Sequence, residues 1–521
     1  MQSYALTVDK FLDHAAKWFP TREIVTAGTH RIGYAALRER SNLLSGALAS
    51  LGVGFGSRVA TLAWNTQHHL EIYYAAMGSG LVCHTLNPRL TVAHLAAMVN
   101  EAENRVLAAS ADLANLAQQL VSQCPSIEAV VLLDGPPGEA ASIAGRPTYA
   151  LETLLAERGE ETRWGQFDEE TPAGLCYTSG TTGRPKGVLY THRSNYLHTM
   201  RALQADAVAL TAADVVLVAV PMFHANAWGF PFAGPAVGAK LVLPGRSTDS
   251  AHLFNLIRHE GVTIASGVQT VWQSLLDYLD ATGGDVPTLE RVLIGGSTCP
   301  DALIDRMETR LKARVQTSWG MTELSPLGTI APARDDSRAI ASGRPPFGLD
   351  LKLTDASGVT LAQQRNVTGH LKVKGASVVD RYFKADADTL DAEGYFDTGD
   401  LASIDDEGHL TISGRSKDLI KSGGEWINPA EIETIIGRLP GVDLVAVIGR
   451  SDPKWGERPV LIVQPQQSFT LDDRSLLAAL CGNVADWWIP DRVIQVAHMP
   501  LAPTGKIDKN RLRAEYAGAA G

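Results

Sequence analysis

Amphipathic helical stretches alternate with short apolar runs as far as Asp400, and this alternation narrows the fold more than any other feature. In Tyr34 to Leu51, Leu37, Leu44, Leu48 and Leu51 recur at helical spacing. The stretch stops at Gly52 and is followed by a strand-like run from Arg58 to Trp64. The same order returns at His252 to His259 before Val262 to Ala265, and at Asp301 to Lys312 before Val315 to Ser318. Such alternation predicts parallel sheets covered by helices, an α/β fold. Beyond Asp400 the pattern changes. Ala402 to Ile404, the polar turn Asp405 to Gly408 and His409 to Ser413 read as a β-hairpin, followed by a helix at Pro429 to Leu439 and strands at Leu444 to Ile448 and Val460 to Gln464. The chain is therefore divided into a large domain, 1–416, of helix-covered sheets plus a β-subdomain, and a small mobile α+β domain, 417–521. Its 521 residues, set against about 150 for a typical domain, require at least two. Gly135 to Gly145 is expected to be a loop.

A net charge of −11 excludes a broad cationic surface for nucleic acid or anionic lipid. The five cysteines (Cys83, Cys124, Cys176, Cys299, Cys481) are scattered and form no Cys-x-x-Cys pair, which argues against a disulfide framework or a cysteine-rich zinc module. Met1 to Lys10 has no signal-peptide core, and no window approaches 18 uninterrupted apolar residues. The expected setting is the cytoplasm, without integral membrane contact.

The segment Tyr177 to Val188 (YTSGTTGRPKGV) is the strongest chemical signal. Seven of its twelve residues are Gly, Ser or Thr, and it carries Lys186. Closely spaced backbone N–H groups, hydroxyls and one cation suit a polyphosphate; a plain flexible linker has the same composition. A Walker P-loop fails on spacing. Counted from Gly180, the second required glycine is Pro185, and the residue after Lys186 is Gly187 rather than Ser or Thr.

This loop resembles the phosphate-binding signature of the adenylate-forming superfamily (acyl-CoA synthetases, adenylation domains, luciferases). Further motifs of that superfamily follow in order: Val220 to Trp228, Gly295-Gly-Ser297, Gln316 to Glu323, Thr398-Gly-Asp400, Gly414-Arg415, Lys421 to Glu425 and Pro503-Thr-Gly-Lys506. The gate wording looks most like medium/long-chain fatty acyl-CoA synthetases and 3-methylmercaptopropionate-CoA ligases. The resemblance implies an AMP-forming ligase using ATP, Mg²⁺ and CoA. A carboxylate attacks ATP to give acyl-adenylate and pyrophosphate, then a thiol displaces AMP.

By the same resemblance Thr178, Ser179, Gly180, Thr181, Thr182 and Gly183 hold the phosphates, with Lys186 as their cation and one of the catalytic residues. Gly295, Gly296, Ser297, Ser318, Trp319, Gly320, Met321 and Thr322 surround adenine, and Trp319 stands where the family often has Tyr. Asp400 binds the ribose hydroxyls, backed by Arg415. Thr178 and Glu323 serve Mg²⁺, although Thr322-Glu323 also reads as a capping pair and Asp400 as a turn residue. Lys506 is the expected catalytic lysine, inserted between carboxylate and α-phosphate, and Lys417 the hinge. Lys421, Ser422, Gly423, Gly424 and Trp426 are expected along the CoA path. Gly423-Gly424 equally reads as a plain turn, and Trp426 as interdomain packing.

Phe223, His224, Trp228, Val268 and Gly320 are assigned to the acyl pocket, in surroundings that include Phe230, Phe232 and Trp272. His224 is also placed among the catalytic residues, as a gate over the carboxylate. No base is required, because the acid is already ionised at pH 7. No Asp or Glu lies between Met222 and Pro231, so a buried substrate ammonium would lack a partner. The expected substrate is an alkyl or aryl acid without an amine, medium-chain or small and substituted. His370 departs from the family, which commonly has Glu there. A carrier-protein acceptor is the alternative to CoA. A non-catalytic nucleotide sensor would be expected to have lost Lys506, Glu323 or Asp400, and all are present. Homodimerisation rests on the resemblance alone.

Overall fold

The computed structural model describes residues 1–135, 142–178, 185–296, 299–333, 341–423, 425–466, 469–502 and 506–517. Much of the Gly135 to Gly145 loop falls outside them. The helix–strand alternation takes the expected form. Helix Tyr34–Ser50 precedes strand Arg58–Leu62, Ser250–Glu260 precedes Ile264–Gly267, and Asp301–Leu311 precedes Arg314–Gly320. Local chemistry sets these ends. The Asp249 carboxylate accepts from the His252 N–H at the start of Ser250–Glu260, and Gly261 closes that helix in the left-handed region, φ 67°.

Two largely parallel sheets form the body. The first runs Leu327–Ile330, Arg314–Gly320, Arg291–Ile294, Ile264–Gly267, Val215–Val218, Lys240–Leu243, Glu23–Thr26, His30–Gly33, antiparallel only at its two outer pairings. The second runs Thr148–Ala150, Ala129–Leu132, Val106–Ala109, Arg58–Leu62, Val82–Thr85, Pro172–Thr178, Lys186–Thr191, antiparallel only at the last pair. One core joins side chains of both sheets with helices Tyr34–Ser50 and Gln67–Gly78. The latter is buried from His69 to Gly78, as a helix covered on every side must be. Its Glu71 carboxylate accepts from Arg40 at 2.7 Å.

A four-stranded antiparallel sheet follows, Leu349–Thr354, Thr368–Gly375, Phe396–Ile404, Leu410–Arg415, with the expected turn at residues 405–408. The remaining chain builds a smaller α+β unit. Val442–Asp452 and Gly456–Pro465 form its long hairpin, and Ile420, Ile427, Ile432, Ile436, Val447 and Leu461 fill one side of it. Among the described residues no helix is long and apolar enough to cross a membrane.

The cores hold imidazoles whose burial disfavours a second, charging proton. His69, His84, His192 and His198 are at most 1% exposed. Burial pushes His69 and His84 down to about 4, His192 to about 3, and His198 well below its ordinary value. The N–H groups of Val8 and Leu327 donate to His192 Nδ1 and His198 Nε2, which requires those nitrogens to be bare. Below about pH 6.5 the unfolded chain takes up protons that the folded one refuses, so stability falls as pH drops from 6.5 towards 4. Between pH 6.5 and 5 each buried histidine contributes up to about 2 kcal/mol to that loss. Asp9, Glu323, Asp400 and Glu433, raised by burial, act in the opposite sense closer to the ordinary carboxylate range. A melting temperature several degrees lower at pH 5 than at pH 7 is expected. Equal values would contradict this account.

Candidate active site

In open α/β sheets ligands gather beyond the carboxyl ends of parallel strands. The expected site segments stand there. The gate follows Val215–Val218, Val268 follows Ile264–Gly267, Gly295 and Gly296 follow Arg291–Ile294, and Met321 to Glu323 follow Arg314–Gly320. The phosphate-loop segment follows Pro172–Thr178 in the other sheet and returns as Lys186–Thr191. Thr178 pairs with Lys186, so this hairpin fixes the two ends of the loop. Ser179, Gly180, Thr181, Thr182 and Gly183 lie outside the described residues, as do Ser297 and Gly424.

Lys186 is exposed, and its ammonium lies 4.8 Å from the centre of the Tyr382 ring. The Tyr382 hydroxyl donates to Glu323 Oε1 at 2.8 Å. Glu323 is only 6% exposed, and burial raises its carboxyl above the usual range despite the Tyr382 bond and the charges of Arg415 and Lys186. Arg201, itself 4% exposed, supports the same turn by donating to the Leu327 carbonyl at 2.7 Å and the Leu324 carbonyl at 3.3 Å. Neither Tyr382 nor Arg201 belongs to a motif, and no spacing signal could have found them.

Asp400 is 2% exposed. Its Oδ2 accepts from the Trp319 indole N–H at 2.9 Å and its Oδ1 from Arg415 Nε at 2.8 Å. Burial pulls its carboxyl up, and Arg415 and Trp319 pull it back. Trp319 is thereby fixed, with its ring against Gly328, where a Cβ would come within 2.3 Å. The Ser318 hydroxyl donates to the Ile294 carbonyl at 3.0 Å and ties the adjoining strand ends together. Thr322 lies buried beside Glu323, its carbonyl accepting from Tyr190 at 2.9 Å, while Gly320 and Met321 are half-buried.

The gate has a backbone that its residue types do not announce. Ala225, Asn226, Ala227 and Trp228 all have positive φ (44°, 54°, 47° and 56°), followed by Gly229 at 85°. Each non-glycine residue in that left-handed turn costs about 1–2 kcal/mol, which the packing around it must offset. A Cβ on Gly229 would approach His198 to 2.8 Å. The turn brings the Trp228 ring within 3.2 Å of where a Gly295 Cβ would stand. Val268 Cγ1 lies 3.6 Å from the corresponding point on Gly296. Phe223 packs edge-on to Trp64, with centroids 6.3 Å apart. The wider aromatic surroundings are buried. Phe232 packs on Tyr73 and Tyr74, and Trp272 is fully buried with its indole donating to the Gly267 carbonyl. His224 is pushed down to about 4 by burial and by Lys506, so it is neutral at pH 7.

Lys506 crosses from the smaller unit into this cleft. Lys506 is exposed as a residue, yet its Cε lies 3.8 Å from the Gly296 Cβ position; partial desolvation there and Arg415 lower its pKa, and Asp400 opposes them. Its loop closes on itself, as the Ala502 N–H donates to the Lys506 carbonyl at 2.7 Å and the Asp508 N–H to Pro500 at 2.9 Å. Arg438 pairs with Asp301 at 2.9 Å, and Gln273 donates to Asp443 at 2.8 Å, holding the smaller unit in place. Lys417 occupies the short helical turn Ser416–Asp418 between the sheets. Ser422 pairs with Glu425 across a two-residue tip, and Gly423 there takes φ 61°. Lys421 lies beside the exposed Trp426, 5.4 Å from its ring.

Arg415 thus pairs with Asp400 and interacts with Lys506 and Glu323, and Glu323 in turn interacts with Lys186 at the end of the hairpin. The AMP-binding enzyme family matches residues 12–383, and the AMP-binding enzyme C-terminal domain matches residues 431–506. The chain belongs to the AMP-binding enzyme family. It is 40% identical to a 3-methylmercaptopropionyl-CoA ligase of Ruegeria lacuscaerulensis across 100% of this chain and 99% of the relative. It is also 40% identical to a medium-chain-fatty-acid–CoA ligase of Ectopseudomonas oleovorans, across 99% and 97%. The crystal structure of ATP-bound MatB from Rhodopseudomonas palustris superposes with a TM-score of 0.85 at 25% identity, covering 98% of this chain and 99% of that one. Within the family, this chain is an AMP-forming acid–thiol ligase, an ATP-dependent acyl-CoA synthetase.

Magnesium fits the donors present. Glu323 is a buried hard-oxygen donor whose Oε1 accepts from Tyr382 and which among the described residues has no salt bridge. That suits an ion which keeps its waters and arrives with nucleotide phosphates.

Proposed function

We propose that the chain converts an apolar carboxylic acid lacking an amine, medium-chain or small and substituted, into its CoA thioester. The relatives named for medium-chain fatty acids and 3-methylmercaptopropionate support that class. The carrying observation is Lys506 beside Gly296, within electrostatic reach of Asp400, Arg415 and His224. In this reading Lys506 neutralises the repulsion as a carboxylate oxygen attacks the α-phosphorus and pyrophosphate leaves. Lys186 and the phosphate loop orient the departing phosphates. Thr178 and Glu323 would hold Mg²⁺, which supplies charge neutralisation on the triphosphate. Asp400 and Arg415 hold the ribose, with Gly295, Gly296 and Ser297 against adenine. His224, being neutral, closes over the carboxylate without taking a proton.

Phe223, Trp228 and Val268 form the apolar mouth. Rotation of residues 417–521 about Lys417 then brings the Lys421 to Trp426 hairpin to the thioester step. The CoA sulfur attacks the acyl carbon, AMP leaves, and the thiol proton passes to solvent. Pyrophosphate release profiled over linear, branched, aryl and amino acids, with free CoA or a carrier protein as acceptor, tests this. Linear or thioether-bearing acids should lead, with CoA as acceptor. Preference for an amino acid, or turnover only with carrier protein, would refute it.

A further inference from the structure

The segment Val379 to Phe383 bridges the two halves of the triphosphate site. The Val379 N–H donates to the Glu323 carbonyl at 2.8 Å, and the Phe383 N–H donates to the Gly187 carbonyl at 2.8 Å. Between these anchors Tyr382 presents two different surfaces. Its hydroxyl binds Glu323 Oε1 at 2.8 Å, and the face of its ring lies 4.8 Å from the Lys186 ammonium. A further ring contact, edge-on to Phe396 with centroids 6.5 Å apart, fixes its plane.

We infer that Tyr382 is a positioning residue of the nucleotide site, orienting Glu323 through its hydroxyl and Lys186 through its ring. The inference rests on the proposed roles of Glu323 and Lys186. A donor on one carboxylate oxygen fixes where the other oxygen points. Outer partners of this kind orient metal ligands, and their loss typically costs about 10–100-fold in metal affinity or activity. The ring acts separately. An ammonium over an aromatic face is attracted without losing its N–H donors to a competing carboxylate, so Lys186 stays available for phosphate.

The two surfaces can be separated by substitution. Tyr382→Phe keeps the ring and removes the hydroxyl, whereas Tyr382→Leu removes both. For Tyr382→Phe, the Mg²⁺ concentration giving half-maximal pyrophosphate release should rise about tenfold. At saturating Mg²⁺, its KM for ATP should stay within about twofold of the parent's. Tyr382→Leu should raise both quantities. Calorimetric titration of ATP, with and without Mg²⁺ and with no acid present, supplies a readout independent of turnover. There, Tyr382→Phe should lose the Mg²⁺-dependent part of the affinity and keep the rest.

Thioester formation from preformed acyl-adenylate involves no triphosphate and should be unchanged in both variants. A loss in that step equal to the loss in pyrophosphate release would mean a merely structural role and overturn the inference. So would an unchanged or lowered Mg²⁺ requirement in Tyr382→Phe. Failure of the underlying functional reading would look different, because the parent protein itself would then release no pyrophosphate with any acid.

Discussion

Lys506→Ala should slow acyl-adenylate formation at least about a hundredfold while leaving thioester formation from preformed adenylate nearly intact. One charge-assisted hydrogen bond contributes roughly 1.5–3 kcal/mol, or about 10–150-fold in rate. In the proposed mechanism Lys506 is asked for more than one, because there it would neutralise two anions that must approach each other. No other cation among the described residues takes that place. Arg415 is committed to Asp400 at 2.8 Å, and Lys186 stands over Tyr382 at the end of the phosphate hairpin. Pyrophosphate release and thioester formation, each followed as a single turnover, separate the two steps. Equal losses in both would remove Lys506 from the role assigned to it.

The second large effect belongs to the proposed hinge at Lys417. Ser416 is tied to the four-stranded sheet, its hydroxyl 3.0 Å from His370 Nδ1. Asp418 is tied to the C-terminal helix by Arg513 at 2.6 Å. Lys417 is the residue between these anchors, so a rotation of one unit against the other falls on its backbone dihedrals. Proline there locks φ near −65°, a value compatible with a short helical turn but not with a large swing. Lys417→Pro should therefore retain adenylation while thioester formation drops on the order of a hundredfold, as expected when a reacting group is misplaced by an ångström or more. Lys417→Ala should keep both steps. A proline variant with normal thioester turnover would refute the hinge assignment.

His370, the departure from the family pattern, acquires a physical place in this arrangement. The sequence marks it only as a substitution. In the structure it bonds Ser416, the residue next to the proposed hinge. Tyr382 and Arg201 went unnoticed for a related reason. Each acts on Glu323 or its turn from a distant point in the chain, 59 residues away for Tyr382 and more than 120 for the Arg201 contacts. The left-handed gate turn was equally hidden. Ala225, Ala227 and Trp228 have no preference for positive φ, and only the surrounding packing, including His198 against Gly229, holds them there.

The sequence by itself determined the α/β class, the order of helices and strands and the chemical inventory of the site. Those depend on local periodicity, turn chemistry and short motifs, all written within a few neighbouring residues. Only the tertiary structure decided which of the aromatic residues face the cleft and which fill the cores, that Trp319 is tied to Asp400, and that Lys186 and Glu323 share Tyr382 as a support. These outcomes depend on contacts between segments far apart in the chain, whose energies are settled by burial and close packing and leave no spacing pattern to read.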